Sequence, residues 1–199
     1  MKYLILYAHA CDDKQGQILL DSVSKVLEKD NATFDVRDLN KIVPANHSND
    51  SCSYEQHPYD MSFSTEFQEE RNHLAAADRI IILSPYIGNQ FPVILNKYFE
   101  KVFNQSFIMD LIEGGLHGLK GKKKVAMVNT VGTDPLMYKK GFFSDQSRYD
   151  YKELMKTFHS DLEFRNMVPM NCDEKTLNEH IANIEQNIDT LENKSSFYL

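Results

Sequence analysis

The first group of residues that could bind a ligand is His9–Gln17, which lies between an apolar N-terminal segment and the first helical pattern. A helix N-terminus offers unpaired backbone N–H groups and the positive end of the helix dipole, so an anion such as a phosphate could bind there. Gly16 permits close approach and Lys14 adds a positive charge. The alternative is an ordinary turn capped by Asp12 or Asp13, and these two acids oppose a bound anion.

Two later stretches carry groups that could contact a flat ring. Ser84–Pro92 contains two prolines, the aromatic residues Tyr86 and Phe91, and Gly88, which leaves backbone groups accessible. The aromatic side chains could frame the ring, or they could belong only to the core or to an interface. Asn129–Pro135 supplies hydroxyl groups and a glycine, which polar turn chemistry explains equally well.

Other catalytic arrangements have no support in the sequence. The seven histidines show no H-E-x-x-H spacing, so no metal site is predicted. The three cysteines are far apart and form no C-x-x-C pair, which argues against a disulfide framework or a thiolate metal site. There is no G-x-S-x-G motif of a serine hydrolase. The acidic pair Asp12-Asp13 could belong to a phospho-acceptor domain, but Ser84 stands where such a domain needs an aspartate.

The ligand-binding candidates follow apolar segments that are too short for helices. Runs of this kind without polar alternation are typical of strands buried on both faces of a sheet. The predicted strands are Lys2–Ala8, Thr33–Val36, Arg79–Ser84, Lys124–Asn129 and a short one around Asn166–Met170.

Helical patterns separate these strands, at Ile18–Leu27, Thr65–Ala77, Ile94–Phe103 and Leu177–Leu191. The alternation predicts one α/β domain over residues 1–199, with a parallel sheet of order 2-1-3-4-5 between two layers of helices. Ligands bind such sheets beyond the carboxyl ends of strands one and three, so the candidate stretches are predicted to meet there. Two long loops, Asn40–Ser64 and Leu136–Tyr149, are typical of functional segments.

Composition narrows the class of partner. The chain has 199 residues and a net charge of −7, which argues against nucleic-acid binding. No apolar stretch approaches the ~20 residues of a membrane span, so no membrane insertion is predicted. The N-terminal apolar run is too short for a signal peptide, and we expect a cytoplasmic protein.

Four segments resemble one known family in the same order along the chain. They are Y-A-H at Tyr7–His9, A-D-R-I-I-I-L-S-P at Ala77–Pro85, F-P-V-I-L-N-K-Y-F-E-K-V-F at Phe91–Phe103 and G-L-K-G-K-K-K-V at Gly118–Val125. The family is that of the flavodoxin-like NAD(P)H:quinone oxidoreductases, which includes ancillary subunits of potassium efflux systems. The resemblance extends from Lys2 to about Tyr138.

The resemblance implies a flavodoxin-like three-layer sandwich that holds FMN, with FAD as the alternative. It also implies NAD(P)H as co-substrate, a quinone or similar small electrophile as electron acceptor, and a homodimer. Tyr138 is the implied catalytic residue beside the flavin ring. The implied cofactor-binding residues are His9, Lys14, Gly16, Gln17, Pro85, Tyr86, Ile87, Gly88, Asn89, Thr130, Val131, Gly132 and Thr133.

Several departures from the family pattern fall in the predicted site. His9 is followed by alanine instead of proline, and the usual Ser/Asn-rich phosphate loop is missing. Gly88 stands in place of the usual tryptophan, and Thr130–Thr133 only approximates Thr-Thr-Gly-Gly. These departures leave open a second function, a regulatory or docking subunit that binds flavin weakly or not at all. Apolar residues lie around more than one face of the predicted helix Pro92–Phe103, and this pattern also supports a homodimer.

Overall fold

The structure is a computed structural model that describes residues 1–43, 65–87, 90–102, 123–132 and 161–195. Its strands form one parallel sheet of order β2-β1-β3-β4-β5, which confirms the predicted fold class and strand order. The strands are β1 (Lys2–Tyr7), β2 (Thr33–Asp38), β3 (Arg79–Tyr86), β4 (Lys124–Val131) and β5 (Asp161–Pro169).

Helices of the described ranges cover both faces of the sheet. They are α1 (Lys14–Lys29), α2 (Leu39–Ile42), α3 (Thr65–Ala76), α4 (Val93–Val102) and α5 (Glu174–Ser195). The first and last pack on one face, and the other three pack on the opposite face. Among the residues that these five ranges contain, no helix is long and apolar enough to cross a membrane.

Each strand supplies two separate cores because successive side chains point to opposite faces of the sheet. Tyr3 and Ile5 of β1 enter the core under α1 and α5, whereas Leu4 and Leu6 enter the core under α2, α3 and α4. Helix α1 buries four apolar residues at helical spacing, Leu19, Val23, Val26 and Leu27. Ile18, predicted to share this face, is instead 43% exposed, because its side chain points about 100° away from that of Leu19 around the helix.

Four strands are longer than their apolar runs predicted. β2 continues from Val36 to Asp38. β3 and β4 stay paired as far as Tyr86 and Val131, so Pro85 and Thr130 are strand residues and not loop residues. β5 begins at Asp161. The ladder of backbone hydrogen bonds to a neighbouring strand holds these polar or irregular residues in the sheet, and a one-strand pattern does not reveal it.

Of the two predicted long loops, the structure describes only the beginning of the first. Asn40–Ser64 begins inside the short helix α2, which the sequence did not predict, and residues 44–64 lie outside the described ranges. Asp38 caps this helix by accepting a hydrogen bond from the backbone N–H of Asn40 at 3.1 Å. The loop Leu136–Tyr149 also lies outside the described residues.

Candidate functional site

The carboxyl ends of β1, β3 and β4 lie along one edge of the sheet because the three strands are parallel and adjacent. The chain leaves β1 toward α1 on one face and leaves β3 toward α4 on the other. This divergence is the topological switch point at which open α/β sheets bind ligands. His9, Ile87 and Gly132 follow the three strands there.

The turn between β1 and α1 is organised by Asp13. Its carboxylate caps the helix by accepting a hydrogen bond from the backbone N–H of Gly16, with Oδ1 at 3.0 Å. Its second oxygen, Oδ2, lies 2.8 Å from Nδ1 of His9. Aspartate is a favoured N-cap residue because it satisfies an N–H group that has no partner within the helix. The turn capped by aspartate, which was the alternative to an anion site in the sequence analysis, is therefore present.

Gly16 is needed for the close packing of His9 against the helix. A Cβ atom added at position 16 would lie 2.5 Å from Cγ of the His9 ring, closer than real atoms approach. The His9 side chain is fully buried, and its ring centroid lies 5.5 Å from that of Tyr7. Its Nε2 atom has no hydrogen-bond partner among the described residues.

The electrostatics of this turn fix which atoms carry protons. Burial lowers the pKa of His9, although its contact with Asp13 acts in the opposite direction. Burial alone would raise the pKa of Asp13, but hydrogen bonds from Gly16 and His9 hold it below its usual value. At neutral pH the carboxylate is ionised and accepts the proton of Nδ1, so Nε2 of the neutral ring carries a lone pair.

Neighbouring polar residues lock the same turn in place. Gln15 donates from Nε2 to the carbonyl of Pro169 at 2.8 Å, and its Oε1 accepts from the backbone N–H of Asn171 at 3.2 Å. Asn40 donates from Nδ2 to the carbonyl of His9 at 2.6 Å. Sequence reasoning missed Gln15 and Asn40, because their partners come from other strands and turns.

The other two predicted residues of this turn are exposed. Lys14 is the first residue of α1 and lies at the surface. The side chain of Gln17 donates to Asp21 Oδ1 at 2.9 Å, one turn further along the helix.

The end of β3 combines a buried aromatic ring with an exposed apolar residue. The Tyr86 side chain is fully buried, meets Phe91 edge-to-face at 5.2 Å and lies 4.7 Å from the guanidinium of Arg165. Pro85 is half-buried. Ile87 is 57% exposed, and its backbone exchanges two hydrogen bonds with Gln90. Gly88 and Asn89, which stand between these two residues in the sequence, lie outside the described residues.

At the end of β4, a buried hydroxyl group lies two residues before an exposed glycine. Thr130 is fully buried, and its Oγ1 has no hydrogen-bond partner within the described part of the chain. Val131 is buried. Among the described residues, none has an atom within 4 Å of the position that a Cβ of Gly132 would occupy. Two further predicted residues, Thr133 and Tyr138, lie outside the described ranges.

A polar network that the sequence did not predict joins β3, β4 and β5 beside this edge. Arg165 donates from Nε to Asn129 Oδ1 at 2.8 Å. Asn129 in turn donates from Nδ2 to Ser84 Oγ at 3.0 Å. The network ties the strand ends together just before Pro85 and Thr130, so it fixes their relative position.

The two halves of the site differ in what they can bind. The half formed by β3 and β4 presents an exposed apolar side chain, a buried hydroxyl and an open glycine, which suits a flat ring with a polar rim. In the half formed by the β1–α1 turn, Asp13 already accepts the N–H that a phosphate would need. That donor set does not fit a phosphate while Asp13 keeps this position. Across the described ranges, no group of three His, Cys, Asp or Glu residues could hold a metal ion.

Comparison with known proteins decides the family. A model of proteins with a flavodoxin-like fold matches residues 1–192. The chain belongs to the flavodoxin-like fold family. An uncharacterized NAD(P)H oxidoreductase of Haemophilus influenzae is 24% identical over 142 residues, which span 70% of this chain and 68% of the relative. The family resemblance seen in the sequence is thereby confirmed.

Two solved structures show the same flavodoxin-like fold. The NAD(P)H:quinone oxidoreductase of Methanothermobacter marburgensis superposes with a TM-score of 0.67 at 15% identity, over 94% of this chain and 93% of that one. General stress protein 14 of Treponema denticola, solved in complex with FMN, has a TM-score of 0.66 at 14% identity, over 96% and 98%.

Proposed function

We propose that this flavodoxin-like protein is an NAD(P)H oxidoreductase that uses FMN to reduce a quinone or a similar small electrophile. The observation that carries the proposal is at the switch point. Thr130 of β4, whose Oγ1 has no hydrogen-bond partner among the described residues, lies on the strand next to β3, and the exposed residue Ile87 directly follows β3. The names of the relatives support it, since they include an NAD(P)H oxidoreductase, a quinone oxidoreductase and an FMN complex.

The residues of β3 and β4 would hold the flavin ring. Ile87 offers an apolar surface and Thr130 a hydroxyl for a polar edge of the ring, while Gly132 leaves room and an accessible backbone. Pro85, half-buried in the strand, would stiffen the approach to this surface. When bound, FMN supplies the ability to take a hydride from NAD(P)H and to pass electrons to the acceptor.

The remaining predicted residues complete the proposed site. Val131 and Tyr86 contribute backbone groups at the strand ends, since their side chains are buried. His9 offers Nε2 as an acceptor, and Gly16 and Gln17 shape the turn below it. Lys14 adds a positive charge at its surface. Tyr138 as catalytic residue, with Gly88, Asn89 and Thr133 around the ring, stays a prediction from the family resemblance.

Titration of the full chain with FMN, followed by quenching of flavin fluorescence, tests the proposal. We expect saturable quenching, and Thr130→Val should weaken FMN binding by about 5- to 13-fold, because one hydrogen bond contributes about 1 to 1.5 kcal/mol. Thr33→Val is the matched control, since Thr33 is exposed at the opposite end of the sheet. Absence of quenching at tens of micromolar FMN would favour the regulatory or docking subunit instead.

We further propose that the protein is a homodimer. Val93 at the start of α4 is 68% exposed, and Ile94 is only partly buried. Within one chain, however, Tyr98 and Val102 of the same helix already belong to the core. Light scattering should therefore give about twice the chain mass of 23.1 kDa, and a value near the single-chain mass would contradict the dimer. The predicted cytoplasmic location remains to be tested by cell fractionation.

A further inference from the structure

Three backbone N–H groups around the start of α1 already donate to acceptors of the chain itself. The Gly16 N–H donates to the Asp13 carboxylate at 3.0 Å, and the Gln17 N–H donates to the Asp13 carbonyl at 3.0 Å. The N–H of Asp13 itself donates to the carbonyl of Ala10 at 3.1 Å. A phosphate at a helix N-terminus is held by such N–H groups. Here a carboxylate of the chain occupies that place.

The position of Asp13 is fixed from its other side as well. Its Oδ2 accepts from Nδ1 of His9, whose ring is buried against the face of Gly16. Asn40 holds the backbone of His9 from α2. Asp13 is therefore part of a packed unit, and an incoming phosphate would have to displace it or lie beside its negative charge.

Negative charge also surrounds the unit. Burial, together with the charges of Asp13 and Asp38, raises the pKa of Tyr7 to about 12. Lys14 is the nearby cation in this turn, but it is exposed and its charge is screened by solvent. The field at the turn thus disfavours a second anion.

The unused polar atom in this half of the site has the wrong chemistry for a phosphate. With its Nδ1 proton donated to Asp13, the His9 ring offers only a lone pair, on Nε2, and that atom has no partner among the described residues. A phosphate dianion likewise offers only lone pairs, so it cannot satisfy Nε2. A hydroxyl group can, because it has a proton to donate. The ribityl chain of a flavin carries such hydroxyls.

We propose that Asp13 is a specificity-determining residue that makes this site bind a flavin by its ring and hydroxylated chain, with little contribution from the terminal phosphate. The inference rests on the proposed flavin site. Its consequence is that the chain discriminates weakly between FMN and riboflavin. Removing the Asp13 carboxylate opens the start of α1 to the phosphate.

The test is a pair of fluorescence titrations, with FMN and with riboflavin, on the full-length parent and on Asp13→Ser. Serine is an uncharged N-cap residue that keeps the helix start when no ligand is bound, and its hydroxyl can rotate away from the Gly16 N–H and donate to a phosphate. In the parent we expect the two dissociation constants to agree within about threefold, because the Asp13 carboxylate holds the Gly16 N–H and repels the phosphate. Asp13→Ser should tighten FMN binding by about 10-fold or more while changing riboflavin binding by less than about threefold, since a phosphate gains charge-assisted hydrogen bonds there.

Two further variants sharpen the experiment. Asp173→Ser is the matched control, because Asp173 caps α5 in the same way, accepting from the Thr176 N–H at 2.7 Å, and it should change neither affinity. Asp13→Asn removes the charge but keeps an acceptor for Gly16. It should tighten FMN binding less than Asp13→Ser, and it replaces that variant if circular dichroism shows that Asp13→Ser does not fold.

The outcomes separate the inference from the proposed function. If the parent binds FMN more than about 30-fold more tightly than riboflavin, or if Asp13→Ser leaves the ratio of the two constants unchanged, the role of Asp13 is wrong while the flavin site stands. If neither flavin binds to the parent or to either Asp13 variant, the proposed flavin function fails, and the inference fails with it.

Discussion

The two ends of the parallel sheet treat polar groups in opposite ways. At the amino end, Lys2 forms an ion pair with Asp35 at 2.9 Å, and Arg79 forms one with Glu163 at 3.2 Å. Lys123 donates to the carbonyl of Ala77 at 2.5 Å. At the carboxyl end, within the described ranges, Nε2 of His9 and Oγ1 of Thr130 are buried without hydrogen-bond partners, and Ile87 is exposed.

We interpret this difference as a role in stability for the amino end and a role in ligand binding for the carboxyl end. A buried polar atom without a partner costs about 1 to 3 kcal/mol, so two such atoms near one edge destabilise the folded protein measurably. A ligand that satisfies them at the switch point accounts for their retention. At the amino end, the charges of Lys2 and Arg79 are instead paired with carboxylates of the chain.

We expect the largest effect on stability from removing the Arg79–Glu163 ion pair at the amino end of the sheet. Arg79→Met leaves Glu163 nearly buried without its closest cation, and we expect a loss of about 3 kcal/mol in the free energy of unfolding. Urea denaturation measures it. Lys41→Met is the control, because its pair with Asp38 is exposed and contributes less than about 1 kcal/mol. A similar small loss in both variants would contradict a stabilising role for the amino end.

A smaller loss is expected at the carboxyl end from Gly16→Ala. The added methyl would meet the His9 ring, and overpacking of this kind costs about 1 to 3 kcal/mol. The better helix propensity of alanine offsets up to about 1 kcal/mol of that loss. Gly132→Ala meets no atom of the described ranges within 4 Å and should change stability by less than about 0.5 kcal/mol. If Gly16→Ala is as stable as the parent, His9 is not packed against the helix as described.

Acid should weaken the carboxyl end through His9. Its pKa in the folded protein is lowered by burial, so as the pH falls below about 6.5 the unfolded chain takes up a proton before the folded one does. The parent should lose stability between pH 7 and pH 5.5, and His9→Asn should lose less over the same interval. Urea midpoints at the two pH values give the comparison. Equal losses would show that His9 is not buried as the neutral ring.

The smallest effect concerns Lys14. Its exposed charge lies beside the occupied start of α1, so Lys14→Ala should weaken FMN binding by only about two- to threefold, and only at low salt. Fluorescence titration at low and high ionic strength measures this. A loss of tenfold or more that persists at high salt would mean that the lysine binds the phosphate directly, against the role given to Asp13.

The sequence was sufficient for the fold because its strongest signals are local. The apolar run at Arg79–Ser84 and its counterparts predict buried strands, and their alternation with helical patterns predicts the strand order. The site was predicted less completely because its decisive contacts are not local. Gln15 reaches the carbonyl of Pro169, and Asn40 reaches that of His9. No spacing in the sequence indicates these partners.

The same limit applies within the β1–α1 turn. An aspartate cap was one of two interpretations of the acidic pair, but the sequence does not show that the carboxylate also holds a buried histidine. That second contact depends on Gly16 having no side chain, and it appears only when the helix is packed against the strand. It changes the expected ligand chemistry of the turn from phosphate to hydroxyl.

Anaerobic mixing of FMN-loaded protein with NADH or NADPH, followed by the visible absorbance of the flavin, tests directly whether the protein is an NAD(P)H oxidoreductase. For an oxidoreductase, we expect one or both nucleotides to bleach the absorbance faster than they bleach free FMN, and a quinone added afterwards to restore it. Protein that binds FMN but is bleached no faster than free FMN by either nucleotide would contradict the oxidoreductase, and would leave the regulatory or docking subunit as the better description.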